Sequence, residues 1–286
     1  MKSILVKAYA KINLALNIEG MLDEKYHKVD MILCPITLHD TIEIELLPKG
    51  SKETYITSDN FDFNEIRNNI CHEVVAVLRE KFKFKNQFRI HIYKRIPVAG
   101  GLAGGSADAA AVLKGIVKLL NLPATEDDLL EISRKLGSDM SYCLYNKMAR
   151  CTNRGEELQF IDSKFKNYVL IVKPEHGLNT EKVYKECDKH KFINTDIDKM
   201  VKALEDGDDE QVYETMNNAL MLSASKLLPE ISDLISLVKA KGYKNSQMTG
   251  SGSCIFVLDE QKRPLYKLMK ELYELGYEAE LCKVLN

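Results

Sequence analysis

The sequence predicts an α+β protein of two strand-and-helix layers, with a boundary near residue 160. Three observations carry that class. Short apolar/polar alternations mark half-buried strands, as in TIEIELL from Thr41 and FRIHIYKRI from Phe88. Segments with helical spacing stand beside such strands in both halves of the chain. NSQMTGSGSCIFVL, from Asn245, reads as two strands joined by a Gly/Ser turn. Strand–helix pairs combined with hairpin strands pack as layers, giving expected domains of 1–160 and 161–286.

The elements follow in order. SILVKAYAKINLALNI, from Ser3, reads as extended chain, and TIEIELL has a clean period of two. NNICHEVVAVLREKF, over 68–82, has helical spacing at Ile70, Val74, Val77 and Leu78. In FRIHIYKRI, Phe88, Ile90 and Ile92 share a face, as in an antiparallel strand. A glycine-rich loop follows, then a helix from Ala107 to Leu119 whose Ala110, Ala111, Leu113 and Val117 suit tight burial. Thr125 is a fitting N-cap for the next helix, which ends near Gly137. In the second half, NYVLIVKP from Asn167 is a strand and TEKVYKEC from Thr180 a short helix. Asp196 to Leu227 holds acidic helical segments. ISDLISLVKAKG is an amphipathic helix stopped by Gly242, PLYKLMKELYELG is another, and EAELCKV is a closing strand.

The 286 residues suffice for an ample core in one large domain or two ordinary ones. Forty basic residues against 42 acidic ones leave a formal charge of −2, so no global field recruits nucleic acid or an anionic membrane. Binding of a polyanionic small molecule must be local. The seven cysteines (34, 71, 143, 151, 187, 254 and 282) are scattered, with no Cys-x-x-Cys spacing. That argues for a reducing cytoplasm and against a disulfide framework or zinc site. MKSILVKAYAKINLALNI is interrupted too often by lysine for a signal peptide or membrane span. No heptad or isolated apolar strip is visible from which an oligomeric state could be read; a monomer or weak homodimer is the working expectation.

PVAGGLAGGSADAAAVL, from Pro97 to Leu113, places four of the chain's 15 glycines within six residues. Such density implies unusual dihedrals or close approach to a neighbour. A helix N-terminus behind the loop offers free N–H groups and a dipole to an anion, with phosphate the candidate. Gly100 to Gly105 has the spacing of a Walker P-loop, but Ser106 stands where lysine is required, and Gly-x-Gly-x-x-Gly is absent. In isolation the loop suits either a phosphate or a tight strand-to-helix turn.

Pro97, Gly101, Leu102, Gly104, Gly105, Ser106 and Ala107, at their spacing, resemble the second motif of the GHMP kinases. That superfamily includes galactokinase and the homoserine, mevalonate and phosphomevalonate kinases. The Lys11 strand and the Met248 to Ser253 turn match two further motifs in the expected order. Within the superfamily, Ala10 to Leu16, Tyr26-His27, Leu136 to Asp139, Asn153 to Glu156, Lys173-Pro174 and Thr180 to Tyr184 resemble one branch. Its members phosphorylate a cytidine diphosphate-linked methylerythritol. The chain departs from that branch at Leu22 and Lys25, where the branch has arginine and glycine, and at Asn179, where the branch has serine.

The resemblance implies a GHMP kinase fold: an N-terminal domain like domain 2 of ribosomal protein S5, then a ferredoxin-like α/β domain. It implies ATP-dependent phosphorylation of the substrate's 2-hydroxyl in non-mevalonate isoprenoid precursor synthesis, with ATP and Mg²⁺ as cofactors. Pro97, Val98, Ala99, Gly100, Gly101, Leu102, Ala103, Gly104, Gly105, Ser106 and Ala107 would hold the nucleotide. Ser106 would add a hydroxyl to phosphate or Mg²⁺ while serving as the helix N-cap. Asp139, just past a helix end, would take the proton of the attacking alcohol, with Lys11 beside it steadying the transferred charge. Tyr26, His27 and Tyr184 would form the pyrimidine end. Lys25 is expected to keep a negative φ and leave that end intact. The alternatives are a GHMP kinase for another small alcohol and a non-catalytic nucleotide-binding relative. Intact Lys11 and Asp139 argue against the latter.

Overall fold

The computed structural model describes residues 2–24, 26–60 and 69–285. Its chain divides into two units that interleave in sequence. One comprises Met1–Ala10, His39–Val98 and Ala103–Tyr145; the other comprises Lys11–Leu38, Ala99–Leu102 and Asn146–Asn286. Strands β1 (Ser3–Met21) and β2 (His27–Leu46) contribute residues to both.

In the first unit, β4 (Phe88–Tyr93) runs antiparallel to the Thr41–Leu46 end of β2 and parallel to β3 (Tyr55–Ser58). Phe88, Ile90 and Ile92 are buried with Ile42 and Ile44, as the alternation predicts. Among the described residues four helices accompany these strands: α1 (Ile70–Phe82), α2 (Gly104–Leu120), α3 (Glu126–Leu136) and α4 (Ser138–Tyr145). Helix α2 packs against α1 and α4, and α3 packs against the same two. Its small residues bring α2 down onto the strands: a Cβ on Gly115 would collide with Ile44 Cδ1 and lie 3.1 Å from Val6 Cγ2.

Three local expectations change here. Helix α2 begins at Gly104 rather than Ala107, and its N-cap is Ala103 at φ 59°, with no side-chain cap bond. Ser106 therefore lies inside the first turn and is not the cap, because the left-handed residue at 103 turns the chain into the helix earlier. A helix follows Gly137 directly, so Asp139 belongs to the first turn of α4 rather than to a helix end alone. The expected start of α1 at Asn68 lies outside the described residues; Asn69 is the N-cap, its side chain accepting the Cys71 N–H at 2.9 Å. Thr125 caps α3 as expected, in a capping box with Asp128.

In the second unit, β2 pairs through Val29–Leu33 with β5 (Ala149–Asn153), which pairs with β6 (Glu157–Phe160). The strand extends well before TIEIELL. That part escapes pattern reading because Met31 to Ile36 are all buried, which erases alternation, and Pro35 argues against a strand. β1 pairs in parallel with β8 (Asn217–Asn218). A separate antiparallel sheet has the order β11 (Glu278–Lys283), β7 (Tyr168–Lys173), β10 (Ile255–Asp259), β9 (Ser246–Met248). The acidic run resolves into α6 (Ile197–Asp206), α7 (Asp209–Thr215) and α8 (Met221–Leu227), preceded by α5 (Thr180–Cys187). Helices α9 (Glu230–Ala240) and α10 (Lys262–Glu274) pack on the second sheet.

Candidate active site

Each unit holds a group of the residues singled out from the sequence. In the second unit, the lysine strand, residues Ala99–Leu102 and the turn after β9 form one hydrogen-bonded network. Lys11, 4% exposed, donates from Nζ to Asn13 Oδ1 at 2.8 Å and to the Gly101 carbonyl at 2.9 Å. Asn13 Oδ1 also accepts the Gly250 N–H at 2.9 Å, and Thr249 Oγ1 accepts the Asn13 N–H at 3.1 Å. The Cys254 N–H donates to the Gly100 carbonyl at 3.2 Å.

Two glycines make this contact possible. Gly101 has φ +76° and Gly250 φ +54°, both in the left-handed region. A Cβ on Gly101 would collide with the Thr249 carbonyl, and one on Gly250 would come 2.6 Å from the Gly101 carbonyl. Ala99 (φ 54°) and Ala103 (φ 59°) share that region despite their side chains, so the loop carries backbone strain at both ends of its central glycine pair.

An ammonium has three donors, and both acceptors of Lys11 are neutral. Among the described residues it forms no ion pair. A buried cation without a counter-charge is costly, and an incoming anionic group would relieve that cost.

In the first unit, Gly104, Gly105 and Ser106 form the first turn of α2, which contains no acidic residue. Gly105 is exposed, and a Cβ there would meet nothing within 4 Å. These are the conditions an anion needs at a helix N-terminus. Ser106 Oγ lies 4.0 Å from the position of a Cβ on Gly137, so this turn adjoins the segment that carries half-buried Asp139. Pro97 and Val98 lead into the loop from the same unit, and Ala107 is buried at its end.

The sequence reading missed a buried charge cluster beside that helix. Lys94 Nζ lies 2.5 Å from Asp40 Oδ2 and 2.9 Å from Asp108 Oδ2. Asp40 Oδ1 also accepts the Arg95 and Ile96 N–H groups. Burial pushes the Asp108 carboxyl well above its ordinary range, against the pull of Lys94. Burial drives the Lys94 ammonium down, but Asp108 and Asp40 together outweigh it and its pKa rises. The cluster ties the chain just before the loop to the helix just after it. Its only sequence signal is Asp108 within an otherwise apolar helix face.

The aromatic residues assigned to the pyrimidine end lie in the second unit. The His27 and Tyr184 rings have centroids 4.8 Å apart at 36°. Arg154 stands over the Tyr26 ring at 5.1 Å. His27 Nε2 is 2.6 Å from Asp188 Oδ1. Asp23 Oδ1 accepts the Tyr26 N–H at 2.7 Å. Lys25, on which the expected state of this end turned, lies outside the described residues. Arg154 was legible only as part of a motif, and Asp188 not at all.

The chain matches the model of the GHMP kinases N terminal domain over residues 69–147 and that of the GHMP kinases C terminal over residues 200–279. It is 37% identical to 4-diphosphocytidyl-2-C-methyl-D-erythritol kinase of Bacillus cereus (strain B4264) over 281 residues, 97% of this chain and 96% of that one. The enzyme of that name from Bacillus anthracis is 36% identical over the same span. A crystal structure of 4-(cytidine 5'-diphospho)-2C-methyl-D-erythritol kinase shares the fold with a TM-score of 0.80 at 23% identity, covering 99% of this chain and 100% of its own. Homoserine kinase from Cytophaga hutchinsonii aligns with a TM-score of 0.77 at 16% identity, covering 100% of this chain and 95% of its own.

Proposed function

The chain belongs to the GHMP kinase family, and on that premise we propose that it transfers a phosphoryl group from ATP to the 2-hydroxyl of 4-diphosphocytidyl-2-C-methyl-D-erythritol. Near-full-length identity to kinases of that name supports the substrate. The structural observation that carries the reaction class is Lys11, a buried ammonium whose hydrogen-bond partners among the described residues are neutral, fixed by the glycine loop.

The residues present fit ATP: the open space at Gly105 and the acid-free first turn of α2 suit its phosphates. Mg²⁺ fits as an ion carried by the nucleotide. Among the described residues no group of three or more His, Cys, Asp or Glu is placed to hold a metal, and Ser106 offers one hydroxyl. Mg²⁺ keeps most of its waters and takes few protein ligands; bound there it would neutralise phosphate charge. The α2 amides orient the phosphates. Asp139 accepts the proton of the attacking hydroxyl, and Lys11 balances charge on the transferring group. Tyr26, His27 and Tyr184 hold the pyrimidine.

A linear division at 160/161 falls between the two matched domain regions and serves as the proposed organisation. Seven free cysteines fit a cytoplasmic setting, and a monomer or weak homodimer is the proposed state.

ADP release in the presence of Mg-ATP and a panel of alcohols tests the function. The cytidine-linked methylerythritol is expected to be turned over, and homoserine and mevalonate are not. Turnover of either instead, or of none, overturns the assignment.

A further inference from the structure

Asp188 is the C-cap of α5, and Tyr184 stands one helical turn before it, so both side chains meet the same imidazole. The Asp188 N–H donates to the Tyr184 carbonyl at 3.1 Å, which holds that last turn in shape. His27 is nearly buried, with a side chain 7% exposed, whereas Asp188 is 46% exposed. A carboxylate accepts and does not donate, so at 2.6 Å from Asp188 Oδ1 the proton of the neutral ring resides on Nε2. Nδ1 is then a bare acceptor, and among the described residues nothing donates to it.

We propose that Asp188 is a positioning residue that sets the His27 tautomer, and through it the preference for cytosine over uracil. This rests on the reading of Tyr26, His27 and Tyr184 as the pyrimidine end. The two bases differ at position 4, where cytosine carries an amine that donates and uracil a carbonyl that accepts. An acceptor-only Nδ1 facing that position takes a hydrogen bond from cytosine and leaves the uracil carbonyl opposed to a second acceptor. A site whose acceptor must stay unpaired discriminates strongly between analogues that otherwise share a shape. Without Asp188 the ring is free to carry its proton on either nitrogen, and an Nδ1–H accommodates uracil.

Calorimetric titration of CDP and UDP into the wild type, Asp188→Ala and Asp188→Asn tests this. The two nucleotides carry the same phosphates, so their affinity ratio isolates the base. The wild type is expected to favour CDP. Asp188→Ala is expected to shrink the ratio about tenfold, the scale of one hydrogen bond. Asp188→Asn retains an oxygen that accepts the Nε2 proton and is expected to restore the ratio. ¹⁵N-histidine spectra should show Nε2–H in the wild type and Asp188→Asn, and mixed tautomers in Asp188→Ala. An unchanged ratio in Asp188→Ala, with CDP still bound, overturns the tautomer proposal alone. Wild-type protein that binds neither nucleotide overturns the pyrimidine reading, and the specificity proposal falls with it.

Discussion

Gly104 and Gly105 are adjacent in sequence but have opposite surroundings. A Cβ on Gly104 would lie 3.0 Å from Ile96 Cγ2 and 3.4 Å from Lys94 Nζ, whereas one on Gly105 meets open space. Gly104→Val therefore overpacks the first unit, at a cost of about 1–3 kcal/mol, and reports on packing as much as on phosphate. Gly105→Val is the cleaner probe. It is expected to keep its urea midpoint while ATP affinity measured by calorimetry falls at least about tenfold; undiminished affinity would remove the helix from the phosphate site. Asp139→Asn is expected to lower kcat by about 10² to 10⁴ with little change in KM, the signature of a lost general base. Near-normal turnover would leave Asp139 a first-turn residue of α4 only. Lys11→Met should also lower kcat without loss of stability. Asn13 Oδ1 keeps the Gly250 N–H, and the Gly101 carbonyl keeps Thr249 Oγ1 at 3.3 Å, so neither acceptor is orphaned. A large drop in its urea midpoint would show that the ammonium is structural.

Helix α3 shows an element whose stability the sequence already specifies. The Thr125 hydroxyl accepts the Asp128 N–H at 3.2 Å, and Asp128 Oδ2 accepts the Thr125 N–H at 2.8 Å. That backbone bond, followed by Lys81 and the Thr125 hydroxyl, holds the Asp128 carboxyl down at about 2. A depressed carboxylate stabilises the fold above its unfolded pKa of about 3.9, and the contribution is lost as pH falls through the folded value. Urea midpoints should therefore drop between about pH 4 and pH 2, less steeply in Asp128→Asn. Thr125→Ala should cost about 1 kcal/mol at neutral pH; an unchanged midpoint there would show that the cap contributes nothing. The box was legible because it is local, with its partners three residues apart. Helix α4 was not, since Gly137 reads as a stop although its φ of −178° is ordinary extended backbone. The early part of β2 was hidden by burial on both faces.

Across the whole chain, the glycine loop and the Met248–Ser253 turn depend on each other. Gly250→Ala places a Cβ against the Gly101 carbonyl at a positive φ, and strain alone should cost about 1–3 kcal/mol. Gly101→Ala meets the same obstacle from the other side. Because both substitutions break one contact, their combination is expected to cost less than the sum, by denaturation in a double-mutant cycle. Strict additivity would show the two segments to be energetically independent.

The sequence by itself determined the α+β class, the elements with a clear period, and three motifs whose order and spacing identify the family. Those are properties of short segments, where side-chain periodicity and backbone demands are written locally. Tertiary structure decided what the motif residues touch. Lys11 finds Asn13 and the Gly101 carbonyl, Lys94 finds Asp40 and Asp108, and His27 finds Asp188. Most of these partners arrive from segments far apart in sequence. A buried polar group is satisfied by whichever atoms the backbone brings within about 3 Å, and that is set by how segments pack.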